Sequence, residues 1–329
     1  FEQNEKLGKK IYITGKGRCN LTNACDTEDL FAAIMKNAKF LYSAIYTFDN
    51  HALMDYFASL GLKMKTERGN RVFPLSDHAS DVIRALTDEL RRKKVHICLN
   101  TKVQEILSDG TKITGVCWDC HDTHQKNQIE EFDAVVAACG GMSYPTTGSD
   151  GNGFELCKKL GHTVTELRPS LIGMTTAEEY IMQLQGLSLK NVTLTVKDGK
   201  KTLYSEFGEM LFTHQGISGP LVLTASSCIP DKYMKQKLSF EIDLKPALSE
   251  EQLDKRLQRD FAENVNRQFK NALHGLVPAK LIPVLIRLSG IGPEKKVHSI
   301  TREERHQLLT LLKHFPGTIT GLGKIEEAI

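Results

Sequence analysis

The chain of 329 residues is 40% hydrophobic and 25% charged, which is typical of a globular protein with two or three domains and excludes a disordered or fibrous one. Its 43 Lys and Arg residues against 40 Asp and Glu residues give a net charge of +3, which favours neither a nucleic-acid nor an anionic-membrane partner. Eight scattered cysteines, and no apolar run near the roughly 20 residues of a membrane helix, indicate reduced thiols and a cytoplasmic location.

The first half of the chain alternates predicted helices with predicted strands. Residues 48–60 are amphipathic and end before Gly61, a residue type that often follows the last turn of a helix. A second amphipathic helix is predicted over residues 79–92, because its apolar side chains recur on one face. The short apolar run 95–99 that follows it predicts a strand.

A predicted hairpin precedes a strand that is apolar almost throughout. Residues 102–107 and 113–118 flank Asp109-Gly110, a dipeptide that favours a β-hairpin turn. Residues 132–139 form a nearly uninterrupted apolar run, which is typical of a parallel strand buried on both faces. Together these elements predict a mostly parallel sheet with a hairpin excursion.

Beyond Pro169 several short strands follow one another. Residues 191–196 alternate apolar and polar side chains and lead into a turn at 197–200. Further extended runs surround residues 210–212 and cover 238–244. Strands in succession without helices between them predict a small β-barrel or β-sandwich.

From Ser249 onward the pattern is helical. Ser249 and Thr301 each stand three residues before a Gln or Glu, which is the capping-box pattern at the start of a helix. After Ser249, apolar residues recur at every fourth position through Phe269. A further apolar helix is predicted over residues 279–288.

Three short patterns are suited to binding a nucleotide. Gly15-Lys16-Gly17-Arg18 combines glycines, whose backbone N–H groups can approach an anion, with a guanidinium that matches phosphate. Gly140-Gly141 directly follows the predicted buried strand, at the carboxyl end where α/β sheets bind ligands. Glu2 could accept hydrogen bonds from ribose hydroxyls if it ends a strand. The glycine patterns are equally typical of tight turns, so none is specific alone.

Four longer motifs, which fall in one order, are far more specific. They cover residues 6–23, 71–76, 140–149 and 211–220. In these motifs the chain closely resembles bacterial flavoproteins known as aminoacetone-oxidase-like FAD-binding enzymes, and the bile-acid Δ4,6-reductases are similar to the same family. The resemblance covers essentially the whole chain.

The resemblance implies an α/β fold in which a Rossmann-like FAD-binding domain is interrupted by a small β-barrel and a helical insert. We expect the FAD domain at residues 1–169, the barrel as a substrate domain at 170–248 and 316–329, and the helical insert at 249–315. It also implies that Phe1-Glu2 ends a second strand, that the first strand and its glycine loop are missing, and that residues 324–329 begin a return to the FAD domain. On that basis we expect weak FAD binding, or none, from this chain.

The resemblance further implies which residues hold FAD. Glu2 would bind the adenosine ribose, and Val103 would meet the adenine through its backbone. Gly140 and Gly141 would pack against the dinucleotide. One run would line the stretch from pyrophosphate to flavin, and its members are Gly15, Gly17, Arg18, Cys19 and Asn20. Lys16 departs from the glycine that is more usual in the family, which affects the local backbone.

His214 and Tyr144 are the candidate catalytic residues. His214 lies in a segment expected to return from the barrel towards the flavin, where it could donate or accept a proton. Its alternative role is to fix the contact between the barrel and the FAD domain. Tyr144 could donate a proton in the same way and has a similar structural alternative. Cys19 has no Cys-x-x-Cys partner and can equally be a small buried residue.

The implied function is FAD-dependent oxidoreduction of a small organic molecule. In the direction that we favour, NADH or NADPH binds transiently and reduces FAD, and FAD then reduces an activated C=C bond. The sequence has no second Gly-x-Gly-x-x-Gly motif that would indicate a separate nicotinamide domain. In the alternative, an amine reduces FAD and oxygen reoxidises it. A further alternative is an RNA-modifying flavoprotein, which the net charge of +3 and the 7% aromatic content do not favour.

One remaining motif invites a metal or haem interpretation. Cys117-Trp118-Asp119-Cys120-His121 matches the c-type haem attachment pattern and, with His124, offers four possible zinc ligands. No export signal or distal axial-ligand motif accompanies it. We therefore predict a loop here and no metal site.

Overall fold

The computed structural model describes residues 1–329 and divides into two compact units, Phe1–Leu167 (unit 1) and Arg168–Ile329 (unit 2). The helices of unit 1 are α1 (Lys9–Ile13), α2 (Thr27–Ala32), α3 (Tyr42–Thr47), α4 (Asn50–Ser59), α5 (Ala79–Arg92) and α6 (Asn152–Lys159). Its strands are β1 (Thr22–Asn23), β2 (Met64–Glu67), β3 (Arg71–Pro74), β4 (Thr101–Ser108), β5 (Ile113–Cys120) and β6 (Gln125–Glu131).

The two main helices predicted in unit 1 are present. Helix α4 lies within the predicted range and begins after Asp49, whose carboxylate accepts a hydrogen bond from the Ala52 N–H at 2.7 Å. Gly61 follows the helix with φ of 81°, as expected of a residue just beyond a helix end. Helix α5 has the predicted bounds, with Arg91 and Arg92 in its last turn, where cations favour the helix dipole.

The predicted hairpin is also present, but it extends further than expected. Strands β4 and β5 pair antiparallel around a turn in which Asp109 Oδ1 accepts hydrogen bonds from the N–H groups of Thr111 and Lys112. The Cys117–Cys120 segment, predicted as a loop, forms the end of β5 instead. Strand β6 follows after a short turn and completes a three-stranded antiparallel sheet, so residues of the motif are held by backbone pairing on both sides.

The predicted parallel sheet is not formed. The two sheets of unit 1, β1-β3-β2 and β4-β5-β6, are antiparallel throughout, and residues 95–99 and 132–139 carry no strand. A parallel strand needs backbone hydrogen bonds to a neighbouring strand, and no strand pairs with residues 132–139. Val136 in this run is 89% exposed, so the apolar sequence is not buried on both faces.

Unit 2 is a β-barrel with added helices. Its strands are β7 (Met174–Thr176), β8 (Ser188–Asp198), β9 (Lys201–Phe212), β10 (Gly216–Ser218), β11 (Leu238–Asp243) and β12 (Phe315–Leu322). Its helices are α7 (Glu179–Gln183), α8 (Pro220–Cys228), α9 (Glu250–Ala262), α10 (Phe269–Ala272), α11 (Ile282–Ser289) and α12 (Arg302–Lys313). None of the helices of the chain is both long and apolar enough to span a membrane.

The strands of unit 2 close into a barrel in the order β10-β7-β12-β11-β8-β9. The predicted alternation decides which side chains face inward: Val192, Leu194 and Val196 of β8 are buried, and the residues between them are not. Between the two structures predicted from sequence, the barrel is therefore the one that forms.

The helices α9 to α12 are inserted between β11 and β12, which are hydrogen-bonded neighbours in the barrel. Both predicted capping boxes are present, with Ser249 and Thr301 accepting the expected backbone hydrogen bonds. Helix α9 ends at Ala262 rather than continuing to Phe269. The reason is local, because Asn264 Nδ2 donates to the carbonyl of Asp260 at 2.7 Å, which competes with the next helical hydrogen bond.

Candidate functional site

A cavity of about 790 Å³ in unit 1 brings together residues that are distant in sequence. Its walls include Glu2, the start of α1, Val103 of β4, the apolar run 132–139 and Gly140-Gly141. Several of the residues predicted to hold a cofactor therefore face one space. The volume lies within the range of about 300–1,000 Å³ that is usual for small-molecule and cofactor sites.

Glu2 is oriented at this cavity by its neighbours. Its Oε1 accepts hydrogen bonds from the Asn4 backbone N–H at 2.8 Å and from Asn4 Nδ2 at 2.7 Å. Asn4 Nδ2 also donates to the carbonyl of Thr147 at 3.0 Å, which ties this segment to another residue of the cavity wall. The other carboxylate oxygen of Glu2 has no partner in the chain and can accept hydrogen bonds from hydroxyl groups.

Val103 presents its backbone at a local irregularity of β4, since the pairing with β5 shifts register between Val103 and Glu105. Its carbonyl accepts a hydrogen bond from Asn152 Nδ2 at 2.9 Å. A carbonyl oxygen has two lone pairs, so it can still accept from a ligand. Asn152 was not singled out from the sequence; the turn Asp150-Gly151 before α6 is the signal that could have identified it.

Gly140 and Gly141 play different parts in the wall. Gly140 has φ of 72°, and a Cβ there would lie 2.7 Å from Ser149 Oγ, so only glycine fits without displacing Ser149. A Cβ on Gly141 would meet no atom within 4 Å. Its backbone is therefore open on the side where a ligand could approach.

Charged groups at the cavity are mostly paired. Lys102 Nζ lies 2.7 Å from Asp150 Oδ2. Burial raises the pKa of Asp150, but its hydrogen bonds with Lys102 and the Asn152 N–H outweigh burial, and the pKa lies below its usual range. Burial lowers the pKa of Lys10, whose ammonium donates to the carbonyl of Ser143. Burial, together with Asp150, raises the pKa of the Cys139 thiol, so it stays protonated at neutral pH.

The second group of predicted cofactor residues lies at the other end of α1, away from the cavity wall. Gly15, Gly17 and Cys19 all have φ between 57° and 85°, so the chain turns tightly here. A Cβ on Gly15 would lie 2.8 Å from the backbone nitrogen of Asn20. Turns of this kind expose successive N–H groups, which is a property that anion sites share.

Arg18 is engaged by carboxylates of the neighbouring sheet. Its Nη1 lies 3.0 Å from Glu67 Oε1 and 3.2 Å from Asp77 Oδ1, and its guanidinium stacks 4.0 Å from the ring centroid of Phe73. Lys65 Nζ is 2.6 Å from Asp77 Oδ2 and completes a network of two cations and two anions. Lys65 first, and then Arg18, hold the pKa of Asp77 below its usual range. The sequence did not indicate these partners, which come from β2 and the turn after β3.

Cys19 is only 6% exposed, and burial raises the pKa of its thiol although the Thr14 hydroxyl acts in the opposite direction. A protonated, buried thiol is a poor nucleophile. Cys19 is therefore a small core residue beside the turn. No group of three or more His, Cys, Asp and Glu side chains in residues 1–329 is placed to hold a metal ion.

The two candidate catalytic residues belong to different units, and each is exposed. Tyr144 in unit 1 is 41% exposed, has φ of 51°, and lies with its ring centroid 5.5 Å from Lys10 Nζ. His214 in unit 2 lies in the turn between β9 and β10, where Thr213 Oγ1 accepts from the Gly216 N–H at 3.1 Å. The imidazole of His214 makes no hydrogen bond in the chain. Neither residue lines the cavity.

Comparisons with known proteins identify relatives for most of the chain. Residues 1–311 match the family described as HI0933-like protein Rossmann domain. A 3-dehydro-bile acid delta(4,6)-reductase of Clostridium scindens is 31% identical over 292 residues, covering 88% of this chain and 68% of the relative. A ribosomal RNA dihydrouridine synthase of Haemophilus influenzae is 28% identical over 331 residues, covering 98% of this chain and 75% of the relative.

Among solved structures, the open conformation of a flavocytochrome c3 fumarate reductase is similar to the chain with a TM-score of 0.41 and 15% identity. The match covers 98% of this chain but spans only 59% of that structure. The family match over residues 1–311, together with the 31% identical reductase, is decisive for classification. The chain belongs to the HI0933-like Rossmann-domain family of FAD-dependent oxidoreductases.

Proposed function

We propose that this protein reduces an activated C=C bond in a small organic substrate, with FAD as its cofactor and NADH or NADPH as a transient reductant. The observation that carries the proposal is the grouping of Glu2, Val103 and Gly140-Gly141 around one cavity, in a chain that is 31% identical to a protein named as a reductase. The alternative in which an amine reduces the flavin and oxygen reoxidises it has no comparable support among these relatives.

The residues at the cavity fit the adenosine part of FAD. The free carboxylate oxygen of Glu2 would accept hydrogen bonds from the ribose hydroxyls, and Val103 would offer its backbone to the adenine. The open backbone of Gly141 would allow close approach of the dinucleotide. The turn at residues 15–20 would run beside the pyrophosphate and flavin, with Arg18 holding the turn through Glu67 rather than binding phosphate itself.

The chain itself would supply positioning and the proton. FAD, when bound, supplies the electrons for such a reduction. Saturating a C=C bond also requires a proton on the second carbon, and His214 and Tyr144 are the proposed donors because each presents an exposed titratable group. Their exposure means that a substrate must exclude water from the donor for the transfer to be efficient.

A flavin-binding titration tests the cofactor proposal. Gly141→Val would fill the open backbone face, and we expect the Kd for FAD to rise at least about tenfold, because a side chain would occupy ligand space. Gly275→Val is the matched control, since a Cβ there also meets no atom within 4 Å and the residue lies in unit 2. The titration should extend into the millimolar range. Equal affinities for the two variants would contradict the assignment of the cavity.

Anaerobic addition of NADH or NADPH to the FAD-loaded protein tests the direction of the reaction. Bleaching of the flavin absorbance, followed by reoxidation with an enone, is the expected result. His214→Gln and Tyr144→Phe should slow the reoxidation step without changing the bleaching step, because only reoxidation by the enone consumes a proton from the protein. A flavin that stays oxidised with nicotinamide but is reduced by an amine would contradict the reductase proposal.

A second candidate function has its own support. The ribosomal RNA dihydrouridine synthase of H. influenzae matches 98% of this chain at 28% identity. Forming a dihydrouridine also reduces a C=C bond that is conjugated with a carbonyl group, so the same chemistry would act on a base in RNA. The test is mass spectrometry of nucleosides from ribosomal RNA incubated with the protein, FAD and NADPH. A uridine that gains two hydrogens would favour this candidate over a small free substrate.

A further inference from the structure

Residues 31–48 of unit 1 expose several large apolar side chains close together. This segment runs from the end of α2 through a turn and along α3, and it is called the aromatic segment below. Its exposed large apolar residues are Met35, Phe40, Tyr42, Tyr46 and Phe48, and Phe40 is 86% exposed. None of the apolar side chains of the segment belongs to the hydrophobic cores of the chain or packs against them. An exposed apolar patch of this kind marks a site of interaction with a partner.

The aromatic segment is held together by contacts among its own rings. The ring of Phe31, in α2, meets the rings of Tyr42 and Tyr46, in α3, at centroid distances of 4.6 and 5.5 Å. The two tyrosine rings are themselves 6.1 Å apart. Phe40 lies between the two helices, in the 3-10 turn Ala38–Leu41. Because the helices on both sides of this turn are fixed to each other, Phe40 is displayed at a small cost in conformational entropy.

The charge of the aromatic segment is only positive. The segment contains Lys36 and Lys39 but no Asp or Glu. Lys39 is exposed, directly precedes Phe40 in the chain, and forms no ion pair with any other residue. The whole chain has a net charge of only +3, so this positive charge is a local feature that the overall balance does not reveal.

We propose that the aromatic segment docks onto an anionic lipid surface, with Met35 and Phe40 entering the boundary between the head groups and the acyl chains. Surfaces that lie on a membrane without crossing it combine exposed aromatic and aliphatic side chains with lysine or arginine. Tyr42 and Tyr46 carry amphipathic rings, which are enriched at the level of the head groups. Lys39 would face the negative charge of the lipid.

A second copy of this chain fits the aromatic segment less well. Pairing about a two-fold axis would bring the same lysines together, and the segment offers no carboxylate to neutralise them. Lysine is also depleted at interfaces between proteins, whereas it is common on surfaces that bind lipid. The proposal does not rest on the proposed function, because none of residues 31–48 lines the cavity of unit 1.

Co-sedimentation of the full chain with lipid vesicles tests the proposal. We expect tighter binding to vesicles of phosphatidylcholine mixed with phosphatidylserine than to vesicles of phosphatidylcholine alone. Met35→Ser/Phe40→Ser should lower the partition coefficient on the mixed vesicles at least about tenfold, because it removes the two side chains that would leave water. The control Ile129→Ser/Phe207→Ser changes apolar residues that are 68% and 61% exposed elsewhere, and it should bind like the wild-type chain. Circular dichroism of each variant checks that the fold is retained.

Lys39→Gln separates the contribution of charge from that of the apolar side chains. It should lower binding to the mixed vesicles about fivefold at low salt and leave binding to phosphatidylcholine unchanged, because only anionic lipid attracts the ammonium and salt screens that attraction. Lys63→Gln removes an exposed lysine outside the segment and should change neither value. Equal losses in the two lysine variants would contradict a role for the charge of the segment.

Three results would overturn the proposal. The first is a wild-type chain that binds neither kind of vesicle. The second is an equal loss of vesicle binding in Met35→Ser/Phe40→Ser and in its control, which would show that any exposed apolar residue has this effect. The third is a dimer, detected by sedimentation velocity without lipid, that Met35→Ser/Phe40→Ser dissociates while vesicle binding is unchanged. That result would assign the aromatic segment to a second copy of the chain.

Discussion

Units 1 and 2 differ in whether their apolar segments form buried, paired strands. In unit 2 the apolar runs become paired barrel strands, and one continuous core joins the barrel side chains with those of α9, α11 and α12. In unit 1 the nearly uninterrupted apolar run of residues 132–139 pairs with no strand, and the core is divided into two small clusters. The same kind of sequence is therefore buried in one unit and left at a cavity wall in the other.

The difference shows how much strand formation depends on partners. The barrel strands of unit 2 find neighbours close in sequence, as β8 and β9 do across a tight turn. A parallel strand has no hairpin partner and must pair with segments that come from far along the chain. In this chain residues 132–139 have no such partner, and they line the cavity of unit 1.

The largest expected effect is a loss of stability in unit 2 that leaves the stability of unit 1 unchanged. Phe240→Ala removes a ring that is 1% exposed inside the barrel and should lower the free energy of unfolding of unit 2 by about 3–5 kcal/mol. Phe207→Ala, on the outside of the same barrel and 61% exposed, is the matched control. Urea unfolding followed by circular dichroism measures the loss. The single tryptophan, Trp118, lies in unit 1, so its fluorescence midpoint should stay unchanged. A shifted fluorescence midpoint would show that the units unfold together.

A smaller effect is expected at the helices inserted into the barrel. Ser249→Ala and Thr301→Ala each remove a side chain that caps the first turn, and each should cost about 1 kcal/mol of stability in unit 2. Ser249→Asp keeps an acceptor at the cap and should retain most of the stability. Loss of stability in Ser249→Asp equal to that in Ser249→Ala would show that the hydroxyl acts through something other than the cap.

The ion network of unit 1 should make that unit sensitive to acid. The pKa values of Asp77 and Glu67 lie below their ordinary values of 3.8 and 4.5. Lowered pKa values contribute stability that is present above those ordinary values and is lost as the pH falls through the folded-state values. Thermal melts followed by Trp118 fluorescence should therefore show a falling Tm below about pH 4.5.

The double variant Arg18→Gln/Lys65→Gln removes both cations of the network and should show a smaller fall in Tm over the same pH range. Arg84→Gln serves as the control, because its pair with Asp81 at 3.5 Å lies on an exposed helix face. An equal acid response in the double variant and the wild-type chain would mean that the network does not determine the pH dependence of unit 1.

The smallest effect is expected at the exposed apolar run. Val136→Ser should change the stability of unit 1 by less than about 0.5 kcal/mol, because the side chain is 89% exposed. The corresponding change at a buried strand position, Leu194→Ser, should be severe. Both are measured by urea unfolding. A large loss for Val136→Ser would show that residues 132–139 are buried as the strand that their sequence predicts.

The sequence predicted the elements whose signals are local. Helix α5 was predicted to the residue, and the caps at Ser249 and Thr301 were identified from neighbours three positions away. The turns at Asp109 and Gly199 were recognised because the turn residues themselves carry the signal. What failed depended on distant partners, as in residues 132–139, or on a side chain competing with the backbone, as Asn264 does at the end of α9.

The candidate site shows the same limit. Glu2, Val103 and Gly140-Gly141 were named from the resemblance, and the structure places them around one cavity. Nothing in the sequence indicated that Arg18 pairs with Glu67, or that Asn152 holds the Val103 carbonyl. Contacts between side chains far apart along the chain depend on the folded path, so they were found only in the structure.

The order of the barrel strands has a consequence for synthesis on the ribosome. Strand β12 lies between β7 and β11, and it is the last strand of the barrel to be made. Until it emerges, both neighbours keep an edge with unpaired N–H and carbonyl groups, which is a template for association with other chains. All of α9 to α12 must be translated during that interval. We therefore expect the nascent chain to be most prone to aggregation in the interval before the barrel closes.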